Sequence, residues 1–382
     1  MRCTKALVYK KNIINNLNVV KSVLNKNTKI CLAVKADGYG CGAVETAKIA
    51  ENMGVEYFAV ATVDEGIELR ENGINAKIIL LSLCTYEEFF ELLEYKITPL
   101  VFDSDFINEL NTVVNQYMVK DFGVFLAVDT GMGRIGCLKD EAKNLALQIK
   151  NSSLHLDGMI THFAVSDMIS PENIEYTKNQ FKDFKEAIES VKSEGLNPGI
   201  CTCSSSAASL AFPEFQLDMV RPGIVAYGYF PDQVTKEYLK SKNIEAELKP
   251  VLQFETQIVS IRHFVPGQSV SYGRTWICQK ETDIAVLPVG YADGLLRRYS
   301  KDLKISINGK PYPICGRICM DQCMVDIGLN NSDVKRWDKA IIFGPKENGA
   351  IFDASDVASQ NGTISYEVLT CISKRVKREF IE

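Results

Sequence analysis

The chain has 382 residues, 46% of them hydrophobic and 24% charged, which is enough sequence for one large globular domain and a smaller one. The formal net charge of -5 indicates no broad basic surface, so nucleic acid is not an expected partner. The N-terminal segment MRCTKALVYKKNIINN lacks a signal-peptide core, and no apolar run has the length of a membrane span. We therefore expect a cytoplasmic protein that does not bind membranes, and its twelve cysteines predict free thiols.

Two local clusters of cysteine and basic residues are interpreted as structural. The evenly spaced cysteines are Cys315, Cys319 and Cys323. Zinc sites favour CxxC pairs and a fourth ligand is not evident, so no metal is expected. The basic cluster consists of Lys374, Arg375, Lys377 and Arg378. A short run of charge is usually a solvated surface, so this one predicts an exposed last element or a subunit edge.

Short apolar runs alternate with helical patterns over the first 245 residues. The eight runs are ICLAV (30–34), YFAVA (57–61), KIILLS (77–82), TPLVF (98–102), VFLAV (124–128), GMITHF (158–163), GICTC (199–203) and MVRPGIVAYG (219–228). Strands that are apolar on both faces and are each followed by a helix are typical of a parallel sheet. Eight such units predict an α/β fold with an N-terminal (β/α)8 TIM-like barrel over residues 1–245.

The pattern changes from about residue 246 to runs rich in β-branched residues. These runs include VLQFETQIVSIRHF, QSVSYGRTWICQ, TDIAVLPVGYADG, KISINGKPYPI and CMVDIG. Turn signals separate them, such as PG at 266–267 and NG at 308–309. Residues 246–382 are therefore predicted to form an all-β domain that packs directly on the barrel, and the first few residues of the chain are expected to pair with it.

Chemically distinctive residues follow several of the predicted barrel strands. In a barrel of this kind the active site lies where the strands end. Lys35 follows the first run, where burial would lower the pKa of its amine, although a solvated rim lysine is the simpler interpretation. In the string DTGMGR after the fifth run, two glycines allow a tight turn that delivers Arg134 over the opening.

The later strands contribute further polar groups to the same predicted opening. His162 ends the sixth run, where a satisfied core histidine is the alternative. Arg221 lies within the eighth run and needs a partner to offset desolvation, for which His162 is a candidate. The string CSSSAASL begins a helix whose amides could hold a phosphate or be capped by serine. An amine, an anion site and two arginines suggest a phosphorylated carbonyl cofactor.

Nine strings in order along nearly the whole chain resemble the motifs of alanine racemases. They are AVKADGYG, VDTGMGRIG, THFAVSD, SSAASL, DMVRPGIVAYG, VSYGRTW, LPVGYADG, GRICMDQCMVDIG and GTISYEV. The resemblance implies a pyridoxal 5'-phosphate enzyme of fold type III, with an N-terminal barrel and a C-terminal β domain. It further implies a homodimer whose C-terminal domain completes the active site of the partner subunit.

The resemblance also assigns roles to individual residues. It makes Lys35 the lysine that bonds to the cofactor and Tyr272 the second base. Arg134 would steady the substrate carboxylate, while His162 would support Arg221 beside the pyridine nitrogen. The residues implied around the phosphate are Tyr39, Ser206, Gly223, Ile224 and Tyr366. The residues implied at the substrate entrance, contributed with Tyr272 by the second subunit, are Tyr291, Met320 and Asp321.

Racemisation agrees chemically with a pair of bases. Inverting a carbon requires removal of a proton from one face and return of a proton to the other, which two opposed groups achieve. The expected reaction is interconversion of L- and D-alanine, with D-alanine used for peptidoglycan. Alternatives are a racemase of serine or another small amino acid, and a non-catalytic pyridoxal-phosphate-binding protein. The second base at Tyr272, where a packed strand aromatic is the other interpretation, favours catalysis.

Two positions depart from the pattern that the resemblance implies. Many members of the family have a lysine, often carbamylated, two residues before the Asp of DTGMGR, where it braces the arginine. Here that residue is Ala127, which has no polar group. Another carboxylate, a bound anion or water would have to brace Arg134, and substrate preference could differ. Ser205 replaces the usual asparagine before the phosphate-binding serine, which is a milder change.

Overall fold

The computed structural model describes residues 2–382 and contains a nearly closed barrel of eight parallel strands. The chain begins with strand β1 (Lys5–Tyr9) and helix α1 (Lys10–Ser22). The barrel strands are β2 (Lys29–Ala33), β3 (Tyr57–Val60), β4 (Lys77–Leu80), β5 (Ile97–Val101), β6 (Phe122–Ala127), β7 (Leu154–Ile160), β8 (Ile200–Thr202) and β9 (Met219–Val220). Each coincides with one of the eight apolar runs, so the predicted barrel is confirmed.

Helices connect the strands and cover the outside of the barrel. They are the single turn α2 (Lys35–Tyr39), α3 (Ala43–Asn52), α4 (Val63–Glu71), α5 (Phe89–Glu94), α6 (Ser104–Gln116), α7 (Ala142–Lys150), α8 (Pro171–Ser193), α9 (Ser206–Ala211) and α10 (Lys236–Ser241). Side chains of Thr62, Asp103 and Ser170 cap three of them by accepting backbone N–H groups. The helix α6 buries Ile107, Leu110 and Val114, which share one face at helical spacing.

The second half of the chain is dominated by strands. They are β10 (Leu252–Gln257), β11 (Ser260–Phe264), β12 (Ser269–Val270), β13 (Trp276–Ile277), β14 (Thr282–Leu287), β15 (Lys304–Ile307), β16 (Lys310–Pro313), β17 (Cys323–Asp326), β18 (Lys339–Phe343) and β19 (Lys377–Ile381). The pair Asn308 and Gly309 turns the chain between β15 and β16 with positive φ at both residues, as the NG signal predicts. Two short helices that the sequence did not predict are α11 (Ala354–Gln360) and α12 (Ser365–Thr370).

The first strand of the chain lies in the main sheet of the second half. The sheet order is β16-β15-β18-β10-β1-β19, in which β1 is antiparallel to β10 and parallel to β19. The smaller sheets are β11-β14-β17 and β12-β13. The two halves are thus joined by hydrogen bonds between the two ends of the chain. The domain boundary after residue 245 stays a prediction.

The basic C-terminal cluster is exposed at Lys374, Arg375 and Lys377, as the sequence predicts, but the prediction was wrong for Arg378. Only 10% of the Arg378 side chain is exposed. Its guanidinium donates to the carbonyl groups of Gly40, Ile372, Ser373 and Val376. A guanidinium removed from water needs such acceptors, and here they tie the last strand to the loop after Lys35.

The buried Asn16 holds the backbone that follows the last barrel strand. Its amide donates to the carbonyl groups of Ala226, at 3.1 Å, and Lys249, at 2.8 Å, and its oxygen accepts from the Lys249 N–H. A buried amide that satisfies three backbone groups in two other segments leaves unpaired polar atoms when it is removed.

We therefore predict that Asn16→Ala lowers the free energy of unfolding by ~2–4 kcal/mol, because buried backbone groups lose their partners. Asn18→Ala is the matched control, since Asn18 is an exposed residue of the same helix. The measurement is the shift of the thermal unfolding midpoint of both variants. Equal midpoints for the two variants would contradict this role of Asn16.

Candidate active site

Lys35 lies directly beyond β2 at the carboxyl-terminal end of the barrel, at the first position of α2. Within residues 2–382 its ammonium group has no hydrogen bond or salt bridge. Burial lowers the pKa of Lys35, the positive charge of Arg134 lowers it further, and the Glu65 carboxylate acts in the opposite direction. An amine that loses its proton more readily than an exposed lysine is suited to attack a carbonyl carbon.

Arg221 is 5% exposed and follows β9 into the same end of the barrel. Its guanidinium donates to Thr202 Oγ1 and to the Thr161 carbonyl, each at 2.7 Å, and lies 3.3 Å from His162 Nδ1. Burial lowers the pKa of Arg221 to about 10, which leaves it charged at neutral pH. Burial and the neighbouring cations, Arg221 first, lower the pKa of His162 to about 3, so this imidazole is neutral and can accept from Arg221.

Arg134 is carried by a loop that folds around one carboxylate. Asp129 Oδ1 accepts from the N–H groups of Gly131, Met132 and Gly133 at 2.8–3.1 Å. Burial raises the pKa of Asp129, but these N–H groups outweigh that effect and hold it below its usual value. The Arg134 guanidinium is exposed and makes no hydrogen bond or salt bridge to any residue in 2–382. Its loop is therefore rigidly built, while its charge is left to interact with a ligand.

Gln180 joins the loops of Arg134 and His162, and the sequence did not single it out. This side chain of α8 is 1% exposed. Its oxygen accepts from the Ala164 N–H at 2.9 Å, and its amide donates to the His162 carbonyl at 3.3 Å and to Thr130 Oγ1 at 3.4 Å. The only sequence signal was a polar residue on the buried face of an amphipathic helix.

Four of the five predicted phosphate-binding residues, all except Ile224, line a cavity of 400 Å³ that Lys35 also lines. The lining includes Lys35, Tyr39, His162, Ser205, Ser206, Arg221, Gly223 and Tyr366. The Gly223 N–H donates to Ser206 Oγ at 2.8 Å, and a Cβ at Gly223 would lie 2.4 Å from the Tyr39 hydroxyl. Ile224 is fully buried at the start of the next turn. A side chain at position 223 would therefore displace the Tyr39 hydroxyl from the wall of this cavity.

Ala127 lines a second cavity, of 210 Å³, at the same end of the barrel. Lys35, Arg134, His162 and Arg221 line it too. Its lining includes three cationic side chains but no carboxylate. The structure thus supplies no side-chain brace for Arg134 at the position where the lysine is absent.

Tyr272, Met320 and Asp321 lie apart from these cavities, on a surface cleft of the second half of the chain. Tyr272 is 69% exposed and Met320 53% exposed. Tyr291, which is 40% exposed, lies beside them because its N–H donates to the Cys319 carbonyl at 3.0 Å. The predicted site residues therefore form two groups in one chain, one at the barrel end and one on the β domain.

Arg375 connects the two loops that carry the second group. It donates to Asp293 Oδ1 at 2.6 Å and to Asp321 Oδ1 at 2.7 Å. Asp293 is fully buried and also pairs with Arg2. Burial raises the pKa of Asp293, but hydrogen bonds from Arg2 and Arg375 outweigh it and hold the pKa below its usual value. The cleft thus rests on a charged network that includes both ends of the chain.

Residues 2–382 contain neither a membrane-spanning helix nor a metal-binding cluster. No helix there combines the length and the apolar character that a membrane crossing needs. No group of three or more His, Cys, Asp or Glu side chains in that range is arranged to hold a metal ion.

Comparison with known proteins gives one family over nearly the whole chain. Residues 8–231 match the model of the alanine racemase N-terminal domain, and residues 251–380 match that of the C-terminal domain. The chain is 49% identical to alanine racemase of Treponema denticola, covering 100% of this chain and 99% of the relative. It is 39% identical to the enzyme of Treponema pallidum, with 100% of both covered.

Solved structures agree with these matches. Alanine racemase of Clostridium difficile in complex with cycloserine superimposes with a TM-score of 0.91 at 35% identity, covering 100% of this chain and 96% of that one. The enzyme of Bacillus anthracis with bound L-Ala-P gives a TM-score of 0.91 at 32% identity, with the same coverage. Since both family models and full-length relatives agree, the chain belongs to the alanine racemase family.

Proposed function

We propose that this protein is a pyridoxal 5'-phosphate-dependent alanine racemase that interconverts L- and D-alanine and supplies D-alanine for peptidoglycan. One observation carries the proposal. Lys35, an amine with a lowered pKa and no hydrogen-bond partner in residues 2–382, lies in a cavity with Arg221 and with the polar groups of Ser206 and Gly223. The similarity to relatives solved with cycloserine and L-Ala-P supports a small amino acid as substrate.

The residues around the larger cavity fit this cofactor. Glycine at position 223 lets the Tyr39 hydroxyl lie against the backbone, close to the Ser206 hydroxyl that accepts from the Gly223 N–H. The residues that would hold the phosphate are Tyr39, Ser206, Gly223, Ile224 and Tyr366. Lys35 would bond to the carbonyl carbon, while Arg221 and His162 would border the ring. When bound, pyridoxal 5'-phosphate supplies an electron-withdrawing ring that acidifies the α-hydrogen of an attached amino acid.

Two side chains would exchange the proton of the substrate carbon. Lys35 Nζ would take or return it on one face, and the phenolic oxygen of Tyr272 would do so on the other. Arg134, whose guanidinium is free of side-chain carboxylates, would bind the substrate carboxylate and fix the carbon between the two bases. Because each base can act as donor or acceptor, the same residues serve both directions.

Arg221 would restrain side reactions. The neutral His162 and the acceptors Thr161 and Thr202 hold its charged guanidinium in one orientation. A fixed positive charge disfavours protonation of a neighbouring ring nitrogen, which limits charge delocalisation into the ring. Arg221 would in this way favour return of the proton to the substrate carbon over transamination.

We further propose a homodimer with shared active sites. Tyr272, Met320, Asp321 and Tyr291 are all exposed in one chain, and the cleft that three of them line contains none of the barrel residues. A two-fold symmetric dimer presents the same surface twice, so each barrel could receive this cleft from the other copy. The dimer would then place Tyr272 of one copy opposite Lys35 of the other.

The first test is a chiral assay of the purified protein with pyridoxal 5'-phosphate. We expect interconversion of L- and D-alanine with a kcat/KM higher than that for serine. Lys35→Ala should lower kcat by at least ~10³-fold and abolish the absorbance band of the lysine-bound cofactor. Lys29→Ala, a partly exposed lysine paired with Glu56, is the control and should retain both. Preference for serine, or cofactor binding without racemisation, would overturn the proposal.

Complementation tests the shared sites. Lys35→Ala and Tyr272→Phe should each be inactive alone, but subunits exchanged at a one-to-one ratio should regain about a quarter of wild-type activity. Half of the dimers are then mixed, and each mixed dimer has one intact site. The measurement is racemisation after refolding or coexpression of the two variants. If both bases came from one chain, the mixture would stay inactive.

The neutral state of His162 predicts how stability depends on pH. Its pKa is about 3 in the folded protein and about 6.5 in an unfolded chain. As pH falls below about 6.5, the unfolded chain binds a proton that the folded one does not, so this contribution to stability is lost toward about pH 3.

We expect the thermal midpoint of wild type to fall between about pH 7 and about pH 5, and to fall less in His162→Gln. His155→Gln, which alters a histidine on the barrel exterior bonded to Asp157, is the control and should behave like wild type. Equal slopes for His162→Gln and wild type would contradict a neutral His162.

A further inference from the structure

The backbone directly after Lys35 has an uncommon conformation. Ala36, Asp37, Gly38 and Tyr39 all have φ between 52° and 59°, and Gly40 follows at 79°. The Gly40 N–H donates to the Ala36 carbonyl at 2.9 Å, so this segment is one turn of left-handed helix. Residues with a side chain rarely occupy this region, because Cβ approaches the carbonyl oxygen. Such a turn persists only where its surroundings hold it.

Glu65 contacts the start of this turn. Its Oε1 accepts from the Ala36 N–H at 2.6 Å, and its Oε2 accepts from the Ala61 N–H at 2.8 Å. A helical turn leaves its first N–H groups unpaired, and Ala36 is the first left-handed residue. The one carboxylate therefore joins the end of β3 to the peptide group that follows Lys35.

Glu65 lies where a glutamate usually caps its own helix, but its carboxylate makes other hydrogen bonds instead. Thr62, Val63, Asp64 and Glu65 form the T-x-x-E pattern of a capping box, and the Thr62 side chain accepts from the Glu65 N–H. In a capping box the glutamate returns to the N-cap residue. Here it passes that residue and bonds to two strand ends instead, so its geometry serves the barrel end.

The other end of the turn is held from the C-terminal segment. Arg378 Nε donates to the Gly40 carbonyl at 2.9 Å, and the Tyr39 ring stacks on Tyr227 with centroids 4.8 Å apart. A Cβ at Gly40 would lie 2.3 Å from the Leu369 carbonyl, so the turn cannot shift toward α12. With Gly40 fixed in this way, Ala36 and Lys35 are the residues left to be positioned by Glu65.

We propose that Glu65 is a positioning residue for Lys35, which it holds in place by anchoring the strained left-handed turn at the Ala36 N–H. The inference rests on the proposed function, in which Lys35 bonds to the cofactor and moves the substrate proton. Glu65 touches neither cofactor nor substrate in this role. It acts through the backbone, by fixing the direction in which the Lys35 side chain leaves the strand end.

The test compares Glu65→Gln with Glu68→Gln in the full-length holoenzyme. Glutamine keeps the shape but offers one acceptor for two N–H groups, so Ala36 or Ala61 loses its partner. Glu68 is an exposed residue one turn later in α4, and its substitution removes the same charge. For Glu65→Gln we expect amide hydrogen exchange in peptides spanning residues 34–41 to quicken by ~10-fold, because the Ala36 N–H loses the acceptor that anchors the turn.

We expect kcat of Glu65→Gln to fall by a similar ~10-fold and cofactor release to quicken. KM should change little, because Arg134 is not altered. The thermal midpoint should stay within a few degrees of wild type. Glu68→Gln should match wild type in all of these measurements. Exchange, cofactor release and kcat in Glu65→Gln equal to those in Glu68→Gln would overturn the inference.

A double variant separates anchoring from the charge of the carboxylate. Ala36→Gly removes the strain at the first residue of the turn, because glycine adopts positive φ without cost. In the Glu65→Gln background it should restore at least ~3-fold of the lost kcat and slow the exchange. If it restores neither, anchoring of a strained turn is refuted. Hydrogen exchange needs no turnover, so the inference is tested even if the chain fails to racemise alanine.

Discussion

The structure of the barrel end depends on the hydrogen bonds of the buried Arg221 guanidinium. The ordered sheet runs from β8 round to β9, and these two edge strands are joined by isolated contacts rather than a ladder. Arg221 bridges the gap, because it follows β9 and donates to Thr202 on β8 and to the Thr161 carbonyl beyond β7. Burying this charge is tolerable only with these acceptors. The need to satisfy one cation therefore holds β8 and β9 together, while burial, and after it the charge of Arg221, keeps His162 neutral beside the cavity.

Positive charge accumulates at this end of the barrel. Lys35, Arg134 and Arg221 line the cavity that Ala127 also lines, and no carboxylate lines it. Such an arrangement raises the free energy of the empty protein and favours anionic ligands, which a phosphate and a substrate carboxylate provide. The rigid Asp129 loop and the Gln180 hydrogen bonds keep Arg134 at its place without neutralising it. The fold thus leaves positive charge without a carboxylate partner at the place where the proposed anionic cofactor and substrate would bind.

The ends of the chain tie the two halves of the molecule together. Strand β1 lies between β10 and β19, Arg378 reaches from the last strand to Gly40, and Arg2 meets Arg375 at the buried Asp293. These contacts link the turn beside Lys35 to the loops of Tyr291 and Asp321 through short, well-packed segments. In the proposed dimer, each active site takes one base from each copy. The link within one chain would therefore set the distance between the two active sites.

The amino-acid sequence was sufficient to predict the barrel and the strand-rich second half, because burial on both faces of a parallel strand leaves a local apolar signature at each of the eight runs. It also predicted that Lys35, His162 and Arg221 lie close together, since residues at or just beyond the carboxyl ends of parallel strands share one edge of the barrel. The hydrogen-bond partners of these residues could be known only from the three-dimensional packing. The bonds of Gln180 to two loops, the Glu65 contact with the Ala36 N–H and the burial of Arg378 all join segments distant in sequence. Hydrogen-bond partners of this kind depend on how the elements pack, which no local pattern of residues encodes.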